Sequence, residues 1–297
     1  MRRRPRLARL AAVVLAAVAC ERAPTSASGA LVVASFFPLY DFARQVVGDP
    51  ARVTLLVPPG VEPHDWEPAP ADVARVQTAR VFVYNGTGVE SWADRLLAEL
   101  HGSGPRIVNA TQGLTLLTTG GHPDPHVWLD PLLARAQVEA IRAALVSVDP
   151  DNVRTYDANA SAFSGRLLAL DGRFAAGLAR CARREIVVPH AAFAYLARRY
   201  ELRQVPIIPG LAPDAEPSPA DLAGLTRHAA QAGVTHVFFE PLVARKTAAT
   251  LAREIGASQL ILDPIEGLTK DEAARGMGYV ELMDANLRNL RTALACA

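Results

Sequence analysis

The sequence predicts an α/β protein built as two parallel-sheet α/β lobes joined by one long helix. Short β-rich runs alternate with stretches of helical period in each half of the chain. A single unbroken pattern of steps of three and four residues separates the halves. Composition supplies the material for such lobes, since 50% of the 297 residues are hydrophobic and 21% are charged, far from the profile of a disordered chain.

LVVASF (31–36), RVTLLV (52–57) and RVFVYN (80–85) read as buried strands, and helical patterns follow at 38–48, 70–79 and 89–100. After a loop at 110–130, a helix opens at Pro131 and sets Ala134, Val138, Ile141, Leu145 and Val148 on one face. Proline suits a first helical turn. Val153, Tyr156, Ala160, Phe163, Leu167, Leu170, Phe174 and Leu178 continue the spacing, so one long helix is expected within 150–181. Strands at 185–188, 203–208, 234–239 and 258–262 then alternate with helices at 191–200, 218–231, 243–256 and 270–294. The lobes therefore span 31–149 and 182–297. Parallel α/β lobes bind ligands beyond the carboxyl ends of their strands, and clefts between lobes are favoured places.

The whole chain carries 31 Lys plus Arg against 30 Asp plus Glu, a formal charge of +1. No basic surplus or stripe is present, which excludes nucleic acid as a partner. Part of this balance belongs to the N-terminus. Five arginines crowd residues 2–9, and LAAVVLAAVA (10–19) is an uncharged apolar run. It is too short to span a bilayer, which takes roughly 20 residues, and has the layout of a signal peptide over 1–19. Ala17-Val18-Ala19-Cys20 resembles a bacterial lipobox, although leucine is usual where Ala17 stands. Cys20 would then carry a lipid, and the small polar segment up to Ala30 would be a tether; plain secretion is the alternative. Removing residues 1–19 leaves 26 basic and 30 acidic side chains, a charge of −4.

The three cysteines, at 20, 181 and 296, contain no C-x-x-C pair, so neither a zinc ribbon nor a thioredoxin-type centre can be built from them. In an exported protein, Cys181 and Cys296 could form a disulfide that pins the last helix to the bridge.

Three of the seven histidines follow a proline: Pro63-His64, Pro125-His126 and Pro189-His190. The first two lie in EPHDWEP and DPHVWLDP, and the third in VVPHAAFAYLARRY directly after a buried strand. Asp263 occupies a comparable strand end in LILDPIEG. Three imidazoles and one carboxylate fill the four tetrahedral positions that zinc prefers. Such ligands bind only when deprotonated, so affinity is expected to fall below about pH 6.5. Glu240, at the end of THVFFE, is the alternative carboxylate.

The chain resembles the solute-binding lipoproteins of bacterial zinc and manganese ABC importers. The segments that carry the resemblance are ASFFPLYDFARQVVGD, LVPPGVEPHDWEP with its continuation through VESW, DPHVWLDP, VVPHAAFAYLARRY, EPSPADLAGL, FFEP and ILDPIEGL, in the family's order. The resemblance implies two lobes bridged by a rigid helix, with one divalent cation buried between them. It implies His64, His126, His190 and Asp263 as ligands. It further implies a monomer, lipid-anchored in the periplasm or at the outer face of the cytoplasmic membrane, serving a permease and its cytoplasmic ATPase. Histidine at the third ligand position, here His190, is seen in the family's zinc binders, whereas glutamate there is typical of manganese binders. Nitrogen ligands also suit zinc better. The His-rich loop of many zinc members is absent, because GLTLLTTGGHPDPH offers only His122 before the second ligand, and manganese or mixed specificity stays open.

His122 reads as an exposed loop residue or an auxiliary ligand at the cleft mouth. His101 and His228 receive no role, and His236 reads as a core histidine. Trp66 and Trp128 read as walls of the site and equally as core aromatics. A bridge of this length should favour local motion of the ligand loops over wide hinge closure. The competing class is a secreted zinc hydrolase with a metal-bound water and Glu62 or Glu240 as general base. Neither H-E-x-x-H nor G-x-S-x-G is present, and four protein ligands leave no position for a reactive water. An adhesin role has no residue in its favour.

Overall fold

The computed structural model describes residues 31–49, 52–100, 104–208, 210–211 and 218–297. The expected signal peptide, Cys20 and the tether lie outside the described residues, as does His101. Among the described residues, no helix is long and apolar enough to cross a membrane.

The first lobe is a four-stranded parallel sheet of β1 (Val32–Ala34), β2 (Val53–Leu55), β3 (Val81–Tyr84) and β4 (Arg106–Asn109), in the order β2-β1-β3-β4. Side chains alternate across it as the period of two requires. Val32, Ala34, Val81 and Val83 face a large core shared with the rest of the molecule. Val33 and Phe82 face a smaller core under α2 (Pro70–Thr78) and α3 (Ala93–Glu99). Helix α1 (Phe37–Val47) covers the inner face. Strand β4 is absent from the sequence expectation, because RIVN is a partly exposed edge strand with only Val108 buried and lacks the apolar run of its neighbours. The expected helix at 89–100 begins only at Ala93. Glu90 is committed to the loop before it, where its carboxylate accepts from Asn85 N at 2.8 Å and Ser35 Oγ at 2.6 Å.

A short hairpin, β5 (Thr118–Thr119) and β6 (His122–Pro123), crosses the predicted loop. Its base is held by the second lobe. Tyr195 OH accepts from Leu117 N and donates to Asp124 O, both at 2.9 Å. Helix α4 (Pro131–Val148) follows, opened by Asp130, whose side chain accepts from Leu132 N. Helix α5 (Val153–Leu178) is the expected bridge; its 26 residues make it about 39 Å long. Its buried stripe contains Tyr156, Ala160, Phe163, Leu167, Leu170, Phe174 and Leu178.

The second lobe repeats the plan with β7 (Glu185–Val188), β8 (Arg203–Pro206), β9 (His236–Phe239) and β10 (Ser258–Ile261), all parallel in the order β10-β9-β7-β8. Its helices are α6 (Ala194–Arg199), α7 (Pro219–Gln231), α8 (Lys246–Ile255), α9 (Lys270–Ala274) and α10 (Tyr279–Leu294). Ile186, Val188 and Phe238 join the shared core, whereas Val187 and Val237 pack beneath α8. One apolar cluster therefore runs through the inner faces of both lobes, α5 and α10.

The final helix, expected unbroken over 270–294, is split. Gly276 turns the chain at φ 66°, and Gly278 lies where an added Cβ would stand 2.7 Å from Glu281 Oε2 and 3.4 Å from Asp41 Oδ2. The break frees Tyr279 N, which donates to the buried Asp41 of α1 at 3.0 Å. Burial raises the Asp41 carboxyl above its usual range.

Cys181 and Cys296 are bonded, closing a separation of 115 residues. The flanking backbone pairs as well, with Arg183 N donating to Leu294 O and Ala297 N to Arg180 O. Removing the bond by Cys181→Ala plus Cys296→Ala is expected to cost about 3–4 kcal/mol, mostly through the unfolded chain. Urea melts of this variant and the parent check the value, and unchanged midpoints would contradict it.

Candidate metal centre

Each candidate ligand is placed by a short rigid device. His64 lies in a single 3-10 turn, Pro63–Asp65, beyond β2; Glu62 caps the turn by accepting from His64 N at 3.3 Å. His126 opens the turn Val127–Leu129 just after the hairpin. Asp124 Oδ1 accepts from both His126 N at 3.0 Å and its ring Nδ1 at 2.9 Å. His190 follows β7 and Pro189, and its Nδ1 donates to Glu240 Oε1 at 2.8 Å. With Nδ1–H given to a carboxylate in both residues, Nε2 is the nitrogen left facing the centre, and it offers a lone pair to an ion once its own proton leaves.

At the centre stands Glu266, in the loop after β10. Its Oε1 is 2.9 Å from His126 Nε2, 3.4 Å from His64 Nε2 and 3.6 Å from His190 Nε2. One ligand atom from each of the four residues lies within 4.8 Å of all the others. Zn–N and Zn–O bonds of about 2.0–2.1 Å at the tetrahedral angle put ligand atoms about 3.4 Å apart. Two of the three distances already match, and the His126 contact must widen by about 0.5 Å to admit an ion. His190 Nε2 and Glu266 Oε2 are buried without a hydrogen-bond partner, a cost that a bound cation would remove.

The electrostatics are those of an ion cage holding protons. Burial alone would raise the Glu266 carboxyl, but the hydrogen bonds of His126 and His64 and the facing His190 ring outweigh it and hold the group well below the usual range. Burial would lower His126, yet hydrogen bonds to Asp124 and Glu266 leave it raised. His190 follows the same logic through Glu240 and is held well above the ordinary value. Glu62 is pushed up to about 8 by burial and by the charge of Glu266.

The three predicted histidines thus come together, but Asp263 does not join them, and the fourth member of the group is Glu266. Asp263 Oδ1 turns back to accept from Ile265 N at 2.7 Å. Glu240, the alternative carboxylate, serves His190 from behind. The strand-end pattern points to Asp263, whereas the carboxylate that faces the histidines is Glu266, three residues on. The available signal was a lone glutamate in the apolar loop PIEGL; the fold buries it to 2% exposure.

Trp128 walls the site, 5.3 Å from the His126 ring, and donates to Pro264 O at 2.7 Å. Trp66 packs on Trp92 at 5.2 Å, in the outer core. His64 keeps 12% side-chain exposure, while His126 and His190 have none. A cavity of about 540 Å³ opens beside His64, and exposed His122 lines it too. His236 is half-buried near Thr235 Oγ1 and so is no core histidine. His228 pairs with Glu185 at 2.8 Å.

Two parallel sheets facing a buried three-histidine, one-glutamate group define a metal-binding protein of the two-lobed solute-binding class. The chain belongs to the family of periplasmic zinc-uptake complex component A proteins, ZnuA, whose family model matches residues 32–293. The high-affinity zinc uptake system protein ZnuA of Bacillus subtilis is 39% identical over 309 residues, covering 96% of this chain and 96% of the relative. The zinc-binding lipoprotein AdcA of Streptococcus pneumoniae is 39% identical over 300 residues, and the match covers 96% of this chain and 59% of AdcA. The solved Zn(II)-bound ZnuA-like domain of Streptococcus pneumoniae AdcA superposes with a TM-score of 0.80 at 40% identity, over 90% of this chain and 99% of that one.

Proposed function

We propose that this chain is the extracytoplasmic zinc-capture subunit of an ABC importer. It takes one Zn²⁺ at His64, His126, His190 and Glu266 and passes it to the membrane permease, with ATP hydrolysis in the cytoplasm driving import. The observation that carries this reading is the convergence of three Nε2 atoms on Glu266 Oε1, in a chain of the zinc-uptake family. Four protein ligands complete a tetrahedron, so no coordination position is left for the reactive water of a hydrolase. The role is capture without chemistry, and Glu62 and Glu240 shape the cage instead of acting as bases.

The N-terminal signal delivers the chain across the membrane, and a lipid on Cys20 holds it there as a monomer. Residues 31–149 and 182–297 act as two lobes braced by 150–181. The shared core running through both lobes supports release by local motion of the ligand loops.

Three nitrogens and one carboxylate favour zinc over manganese, which prefers oxygen and lies lower in the affinity order of divalent ions. Protein purified without added metal is expected to carry zinc on elemental analysis. In competition, zinc is expected to exceed manganese by at least about a hundredfold in affinity. A preference for manganese would reject the zinc assignment.

A further inference from the structure

The loop that delivers Glu266 contains an unusual backbone conformation. Ile265 has a φ of 60° and is fully buried. The left-handed region is rarely used by β-branched side chains, because the branch at Cβ crowds the backbone there. Such residues persist where their surroundings over-determine them. Here four flanking backbone groups are tied. Ile265 N donates to Asp263 Oδ1 at 2.7 Å. Asn286 grips Asp263 from both sides, accepting from its N at 2.8 Å and donating to its O at 2.7 Å. Trp128 Nε1 donates to Pro264 O at 2.7 Å, and the same indole lies against His126.

We infer that Asp263 is a positioning residue for the zinc site: its carboxylate holds Ile265 in the left-handed conformation that turns Glu266 onto the three histidines. An extended Ile265 would carry the next side chain away from the cleft. Asp263 therefore acts on the ion through backbone geometry, and Asn286 and Trp128 act with it. The inference rests on the capture reading above and adds a role that no ligand count reveals. The charge of Asp263 is dispensable to this role, whereas its Oδ1 acceptor is not. That separates it from a direct ligand, for which charge and donor strength both matter.

Four variants test it: Asp263→Asn, Asp263→Ala, Ile265→Gly, and Asp263→Ala combined with Ile265→Gly. Zinc affinity is measured by competition with a chromophoric chelator at one neutral pH, and folding is followed by circular dichroism. Asp263→Ala is expected to weaken zinc about 10–100-fold, the usual effect of losing an orienting partner. Asp263→Asn keeps the acceptor and is expected to stay within about threefold of the parent. Glycine accepts positive φ without steric cost, so the double variant is expected to regain most of the loss caused by alanine. Asparagine weakening zinc as much as alanine would overturn the inference, as would a double variant no tighter than Asp263→Ala. Should Asp263→Ala fail to fold, the asparagine variant decides alone. Parent-level binding by Glu266→Gln would instead overturn the capture site itself, a result distinct from any in the Asp263 series.

Discussion

Replacing His126 by alanine is expected to weaken zinc binding by roughly 100- to 1,000-fold. A four-ligand zinc site is worth about 10–16 kcal/mol near neutral pH, so each ligand carries about 2.5–4 kcal/mol, and every 1.4 kcal/mol is about tenfold. His126 should stand at the upper end. It is wholly buried, its Nε2 makes the shortest contact with Glu266 at 2.9 Å, and its orientation is fixed through both backbone N and Nδ1 by Asp124. Asp124→Ala should cost less, about 10–100-fold, because the imidazole survives and only its tautomer and direction are freed. Isothermal titration with a competing chelator, run on both variants, checks the order. His126→Ala within about tenfold of the parent would remove His126 from the ligand set.

Acidification is expected to release the metal across an unusually high range. His126 and His190 hold their protons above the ordinary imidazole value in the metal-free protein. Zinc must displace both, so apparent affinity should fall by up to about a hundredfold per pH unit once both are protonated. The fall should begin above the free-imidazole value of about 6.5. Stability of the metal-free protein should run the other way. For both histidines the folded state binds the proton more tightly than the unfolded chain. Their contribution is therefore complete below about pH 6.5 and is lost as the pH rises through their folded values. Glu62 works in the same direction: its proton is held to about 8 against a free-glutamate value of about 4.3, so it too makes stability decline with rising pH. Glu266 is opposite in sign, since its lowered value favours the folded state above the usual carboxylate range and is lost only in stronger acid. Thermal melts across pH 5–8.5 with and without zinc should diverge, metal-free melting falling as zinc-loaded melting rises. Parallel curves would refute the proton–metal exchange.

Much of this was legible in the residues because buried parallel strands and long helix stripes are local patterns. VVA, VFVY and EIVV announce themselves by apolar content, and the α5 stripe from Tyr156 to Leu178 by its spacing. Proline followed by histidine marked all three nitrogen donors, since proline fixes the turn that aims each ring. What escaped was set by tertiary partners. Strand β4 is a strand because β3 offers it an edge. The final helix stops at Gly276–Gly278 so that Asp41 can reach Tyr279 N. Glu266 faces the centre because Asp263, Asn286 and Trp128 hold the preceding residues in a conformation that no periodicity encodes.

The unequal burial of the four donors gives the exchange of the ion a direction. Glu266, His126 and His190 are sealed between the lobes, whereas His64 rides on one 3-10 turn beside open space. A turn of that size moves far faster than two lobes sharing one apolar core. In the proposed capture role His64 is therefore expected to be the last donor to engage and the first to let go, so that a competing donor from outside would meet the ion on that side while three bonds still hold. Hand-over by substitution, one bond at a time, is the route this asymmetry would favour. The same asymmetry would place the control of residence time chiefly on the exposed histidine, while all four donors share the affinity.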